Sequence, residues 1–204
     1  MRADSTAQAY MELVERKAPA YVALLTARTD EEFEEAFIAL LEPAVTQLER
    51  NAKNFKDLDE VGLSAVLAAA LMIPGLDVQQ EAHSNGHVDL TVVADHCHPV
   101  RRKLGEAKLY DGPEYHVDGL VQLLQRYTTG REGIGLLIEY CRQPNIKAKI
   151  DKVRARMDKD LPAEQQGPTR DMAQKWWFRS THRHSSGEDL DVSHVGCNLH
   201  CDSI

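Results

Sequence analysis

The sequence predicts a mixed α/β fold, a mixed central sheet flanked by helices, and three observations carry that prediction. Apolar residues in the first third recur at three- and four-residue steps, the period of a helix. Around Asn85-Gly86 the period shortens to two, as in a hairpin of strands. A strand–helix–strand succession then runs from Glu106 to Ile138, a crossover that makes its two strands parallel and right-handed.

Each element follows from its residues. Tyr10, Leu13 and Val14 mark a first helix over residues 6–16. Thr29-Asp30 opens a longer one, whose early acids Glu31, Glu32, Glu34 and Glu35 suit the positive end of a helix. Phe33, Phe37, Leu40, Leu41, Val45 and Leu48 form its stripe, and Pro43 is expected to kink it. Asp57 or Asp59 caps a third helix that runs through GLSAVLAAALMI to Pro74-Gly75, apolar nearly all round and therefore buried. Strands are expected over 78–83 and 87–94, joined at Ser84-Asn85-Gly86, and over 102–110. A turn at Asp111-Gly112-Pro113 leads to a helix over 115–128, and GIGLLIEY reads as a buried strand. Ile146, Ile150, Val153, Met157 and Leu161 stripe a helix with a basic face. The stretch PAEQQGPT looks like a linker. Strands beginning at Trp176-Trp177-Phe178 and at LDVSHVGCNLH form a last hairpin about Ser185-Ser186-Gly187. Three parts result: 1–56, an N-terminal helical segment; 57–142, a core; and 143–204, a basic helix with a β-hairpin extension.

Composition narrows function. With 43% apolar residues in 204, the chain buries a full core, which excludes disorder as its main state. No window is long and apolar enough to span a membrane, and the N-terminus carries acids where a secretory leader would be apolar. Four cysteines without framework spacing suit a reducing compartment, so a cytoplasmic location is expected. The net charge of −8 hides an asymmetry. Residues 1–60 carry 7 basic and 13 acidic side chains, whereas residues 147–183 carry 10 basic and 5 acidic. A basic second half allows nucleic-acid binding. No P-loop, G-x-G-x-x-G or G-x-S-x-G is present.

Three polar residues interrupt apolar strands: Asp89 in VDLTVV, and Glu106 and Lys108 in LGEAKLY. Spaced by two, Glu106 and Lys108 share a face, and Asp89 joins them if the two strands pair. Converging carboxylates call for a cation, and oxygen ligands with open positions suit Mg²⁺ or Mn²⁺. The bland alternative for Glu106 and Lys108 is an ion pair on an exposed strand, which leaves Asp89 unexplained.

GHVDLTVV followed by GEAKLY resembles the PD-(D/E)XK nuclease superfamily, whose restriction-endonuclease-like core has the order αβββαβ read above. Its motif, an Asp on one strand and an acid-x-Lys on the next, falls on Asp89, Glu106 and Lys108, with Val88 where the motif's name has Pro. The resemblance covers residues 57–142. It implies a metal-dependent nuclease hydrolysing phosphodiester bonds, with double-stranded DNA ahead of RNA, of the kind that serves bacterial defence or DNA repair. Asp89 and Glu106, with the Ala107 carbonyl, would hold Mg²⁺ or Mn²⁺, and Lys108 would position or deprotonate water. Glu60 fits the Glu of the first core helix. Gln122 or Gln125, near Tyr127, fits the Gln of the later helix. Arg101, Arg102 and Lys103, with Lys147, Lys149, Lys152 and Arg154, would hold the nucleic-acid backbone. The first helices offer a surface for a homodimer. Two other readings stay open: a non-catalytic nucleic-acid or protein-binding module of the same fold, and a zinc-stabilised binding protein built on His182, His184, His194, Cys197, His200 and Cys201. Against the second stands the expectation of a hairpin with exposed histidines.

Overall fold

The computed structural model describes residues 2–83 and 87–201, so the expected turn at Ser84-Asn85-Gly86 lies outside the described residues. Four helices open the chain: α1 (Arg2–Lys17), α2 (Pro19–Thr26), α3 (Asp30–Arg50) and α4 (Glu60–Leu71). Strands β1 (Asp77–His83), β2 (His87–Ala94) and β3 (Arg101–Leu109) follow. Next come α5 (Pro113–Gln122), a π-helical turn (Leu123–Tyr127), β4 (Gly135–Cys141) and α6 (Ile146–Asp160). Strands β5 (Arg170–Asp171), β6 (Trp177–Arg183) and β7 (Asp189–Asn198) close the chain.

The strands form one mixed sheet in the order β1-β2-β3-β4-β7-β6-β5. The expected crossover is present: β3 and β4 pair in parallel, with Lys108 opposite Glu139. The last hairpin is no appendage. Its strand β7 lies beside β4, parallel to it, with His194 opposite Leu137. Helices cover both faces. Phe37, Leu41 and Leu48 of α3 and Leu63 and Leu67 of α4 pack on Leu90, Ala107, Ile138 and Tyr140. Leu120 of α5 and Ile150, Val153 and Met157 of α6 pack on Leu104, Leu137, Phe178 and Val192 across the sheet. Alternation along β3 therefore sends Leu104, Glu106 and Lys108 toward α5 and Lys103 and Ala107 toward α3 and α4.

Local chemistry sets the boundaries. Thr29 caps α3 in a reciprocal capping box with Glu32. Pro43 lies inside α3 on its exposed side, and the helix continues through it. There the carbonyl of Ala39, four residues earlier and also exposed, can turn to solvent. Of the two candidate caps, Asp59 begins α4 by accepting the Gly62 N–H at 2.8 Å, which puts Glu60 at the first helical position. Gly112, at φ +104°, makes the left-handed turn into α5, and Pro113 occupies its first turn. The helix expected over 115–128 is thus α5 extended by the π-helical turn. The expected linker instead bridges β6 at Gln165–His182. Among the described residues no helix is long and apolar enough to cross a membrane.

Candidate functional site

The site forms where β2 and β3 part. The last described pair of their ladder is Leu90–Gly105. Further along β3, two amides turn to carboxylates. Ala107 N–H donates to Asp89 Oδ2 at 2.9 Å, and Leu109 N–H donates to Glu60 Oε2 at 2.7 Å. Satisfying these strand amides is what brings Asp89 of β2 and Glu60 of α4 to Glu106 and Lys108.

Lys108 is the hub. Its Nζ lies 2.6 Å from Glu106 Oε1 and 3.7 Å from Glu60 Oε1. Its stem lies along α5: a Cβ on Gly119 would fall 3.0 Å from Lys108 Cγ and 3.1 Å from Cε. Its ammonium stands 5.5 Å from the centre of the Tyr115 ring. Glu106 and Lys108 do pair, but at 2% and 7% exposure they are a buried pair, not one on an open strand.

The electrostatics are unbalanced. Three carboxylates, Glu60, Asp89 and Glu106, share one ammonium. Burial, then the charge of Asp89, pushes the Glu106 carboxyl up to about 7. Burial also raises Glu60. For Lys108, burial alone would lower the value, but Glu106, Glu60 and Asp89 together raise it. Glu106 Oε2 is buried without a hydrogen-bond partner among the described residues. By donor type, three carboxylates with an unsatisfied oxygen fit a hard divalent cation such as Mg²⁺ or Mn²⁺. As they stand, no three His, Cys, Asp or Glu among the described residues are gathered closely enough to hold one.

The other expected residues divide. Gln122 lies three residues after Gly119 on α5, and its Oε1 is buried without a partner among the described residues. Gln125 lies in the π-helical turn and is exposed. The Tyr127 side chain lies outside the described set. Ala107 takes part through its amide. Two of the expected backbone-binding residues must be corrected. Arg101 is buried, donating to Asp30 Oδ1 at 2.8 Å and to the carbonyls of Ala27 and Arg28. Lys103 is buried under α3, 2.7 Å from Glu34 Oε2, and donates to the Ile134 carbonyl at 2.5 Å. Both charges are spent on acids of α3, so neither faces outward. Arg102 is exposed. On α6, Lys147 pairs with Asp151, Lys149 covers the Tyr110 ring, and Arg154 is tied to Thr169, Asp171 and Phe178. Lys152 is exposed.

The tail histidines also need correcting. His182 and His194 are fully buried on the α5/α6 face, where exposed rings were expected. Cys197 is buried on the opposite face with Tyr140, so it cannot share an ion with His194. Sequence reasoning missed Tyr115, Glu139 and His116 altogether. Glu139 did leave a signal: it is the one charge in the apolar run GIGLLIEY.

No family model, no curated protein and no solved structure matches this chain.

Proposed function

We propose that the chain is a metal-dependent nuclease with a restriction-endonuclease-like core, acting on DNA. The observation that carries the reading is the charge-excess cluster at the parting of β2 and β3. There Lys108 pairs with Glu106 and Glu60, Asp89 takes the neighbouring Ala107 amide, and Glu106 Oε2 is buried without a partner among the described residues. Asp89 and Glu106 are the residues that would hold Mg²⁺ or Mn²⁺. When bound, such an ion supplies charge to neutralise a phosphodiester and to acidify water.

The chain's own groups account for the rest. A Glu106 carboxyl near 7 exchanges its proton readily at neutral pH, and a cation beside it favours the ionised form. Lys108, whose stem lies along Gly119 and whose ammonium stands by the Tyr115 ring, would meet a phosphate oxygen or orient water if a cation took over the Glu106 carboxylate. Gln122, whose buried carbonyl oxygen has no partner among the described residues, is available to orient water or phosphate. Arg102 and Lys152 are the expected backbone contacts that remain exposed and outside the ion pairs above.

Incubation with supercoiled plasmid decides the matter. Nicked or linear product is expected with Mg²⁺ or Mn²⁺ and none with EDTA. Lys108→Ala and Glu106→Ala should each lower the rate on the order of a hundredfold or more. Lys108→Ala should keep Mn²⁺ affinity, and Glu106→Ala should lose it. Cleavage undiminished in EDTA, or a Lys108→Ala variant that cuts at the wild-type rate, overturns the assignment.

A further inference from the structure

Beneath α5 and α6, five buried side chains form one hydrogen-bonded series that the proposed chemistry does not use. Glu139 of β4 bonds His116 Nδ1 of α5. His116 Nε2 meets His194 Nδ1 of β7 at 2.8 Å, and His194 Nε2 meets Ser180 Oγ of β6 at 2.7 Å. Ser180 Oγ meets His182 Nε2 at 2.6 Å, and His182 Nδ1 ends the series on the Ala163 carbonyl at 2.9 Å. Glu139, His116, His194, Ser180 and His182 are each no more than 1% exposed.

The chemistry of the end group fixes every proton. A carbonyl only accepts, so His182 Nδ1 carries a hydrogen. Burial lowers both His182 and His194, so each ring is neutral. The Ser180 hydroxyl then donates to His182, His194 donates to Ser180, and His116 donates to His194. His116 Nδ1 and the Glu139 carboxylate close the series with the remaining hydrogen bond. A buried polar series is costly where a member is left unsatisfied; here the three rings and the hydroxyl are satisfied in a single direction, while Glu139 Oε1 has no partner among the described residues. His116 is thereby pinned on both ring nitrogens, to β4 on one side and to β7 on the other.

The pin lies next to the Lys108 cradle. Glu139 is the register partner of Lys108 on the neighbouring strand. Tyr115 and Gly119, which touch the lysine, flank His116 on α5. Moving α5 away from the sheet would open the groove in which the Lys108 stem lies.

We propose that His116, held by Glu139 and His194, is a positioning residue for Lys108, fixing α5 at the height at which Tyr115 and Gly119 hold the ammonium at the site. Its consequence for catalysis rests on the nuclease reading; the placement of Lys108 does not.

The test uses the full chain labelled with ¹⁵N-lysine, the Lys108 ammonium resonance being assigned through Lys108→Arg. In Glu139→Gln and His116→Gln that resonance should shift by more than its linewidth and exchange faster with water. In the same variants kcat on plasmid should fall on the order of tenfold to a hundredfold, with KM changed by less than about twofold. Val153→Ala, which loosens the same layer and removes no member of the series, should leave the resonance in place. If Glu139→Gln does not fold, His194→Gln is read in its stead. A folded variant with an unmoved resonance and wild-type kcat overturns the proposal, as does an equal shift in Val153→Ala. A wild-type protein that cleaves nothing removes the nuclease reading, and the resonance alone then decides the positioning role.

Discussion

Lys103 and Lys108 stand five positions apart on β3, on opposite faces, both buried, and their surroundings could hardly differ more. Lys103 meets one carboxylate, Glu34, which also accepts from Arg179 and Ser193, each at 3.1 Å. Burial lowers the value of Lys103, as for a cation whose partner is shared with another cation. Lys108 pairs with Glu106 and Glu60, the charge of Asp89 adds to theirs, its value rises, and Glu106 Oε2 has no partner among the described residues. At the Lys103 end two cations share one buried carboxylate, and Arg179 Nε has no partner among the described residues. The Lys108 end carries negative charge in excess, the sign that calls for a cation, and that sign marks it as the candidate site.

The largest effect that sharpens this contrast comes from breaking the Lys103 end. Lys103→Met leaves Glu34 buried with fewer donors and should cost about 3 kcal/mol, the low end for breaking a buried pair because Arg179 remains. The urea midpoint measures it. A loss below about 1 kcal/mol would place Lys103 among the weak surface pairs and erase the contrast.

Next comes the opposite sign at the other end. The Glu106 carboxyl sits at about 7 in the folded protein against an ordinary value near 4.5. Folded and unfolded chains both hold the proton below about pH 4.5, so the ionised form costs no stability there. Between pH 4.5 and about 7 the unfolded chain has released this proton while the folded protein still holds it, so stability falls across that window and levels off above it. In EDTA, Glu106→Gln should match wild type at pH 4.5 and exceed it at pH 8 by at most about 3 kcal/mol. Urea midpoints at the two pH values check this, and equal stability at pH 8 would mean that the cluster carries no excess charge.

Both ends of β3 contribute a lesson on legibility. Asp89, Glu106 and Lys108 were visible because each breaks an apolar strand, and strand alternation alone placed two of them on one face. Arg101 and Lys103 were misread as outward because their partners lie some seventy residues earlier. The match was nonetheless written in two spacings. Asp30 and Glu34 are four apart on α3, a rise of about 6 Å, while Arg101 and Lys103 are two apart on β3, about 6.6 Å. Which helix covers which strand is a long-range fact that no local period encodes. The same holds for His182 and His194: a terminal hairpin reads as an edge, and only the pairing of β7 with β4 buries it. Helix α2 escaped because PAYVALLT is apolar on every side and too short to show a stripe.

The smallest effect asks what Asp89 does by charge and what by shape. Its Oδ2 accepts the Ala107 amide, and its negative charge raises both Glu106 and Glu60. Asp89→Asn keeps an oxygen able to accept that amide and deletes the charge. The strand contact should survive, so stability at pH 4.5 should stay within about 0.5 kcal/mol of wild type, as for a substitution that removes no packing. At pH 8 the variant should gain less than about 1 kcal/mol, because burial, the larger cause, still raises Glu106. The Glu106 titration, followed by the ¹³C shift of its carboxyl, should move down from about 7 while staying above 4.5. A titration that does not move would leave burial alone responsible, and Asp89 would then be a strand clasp rather than a member of the charge cluster.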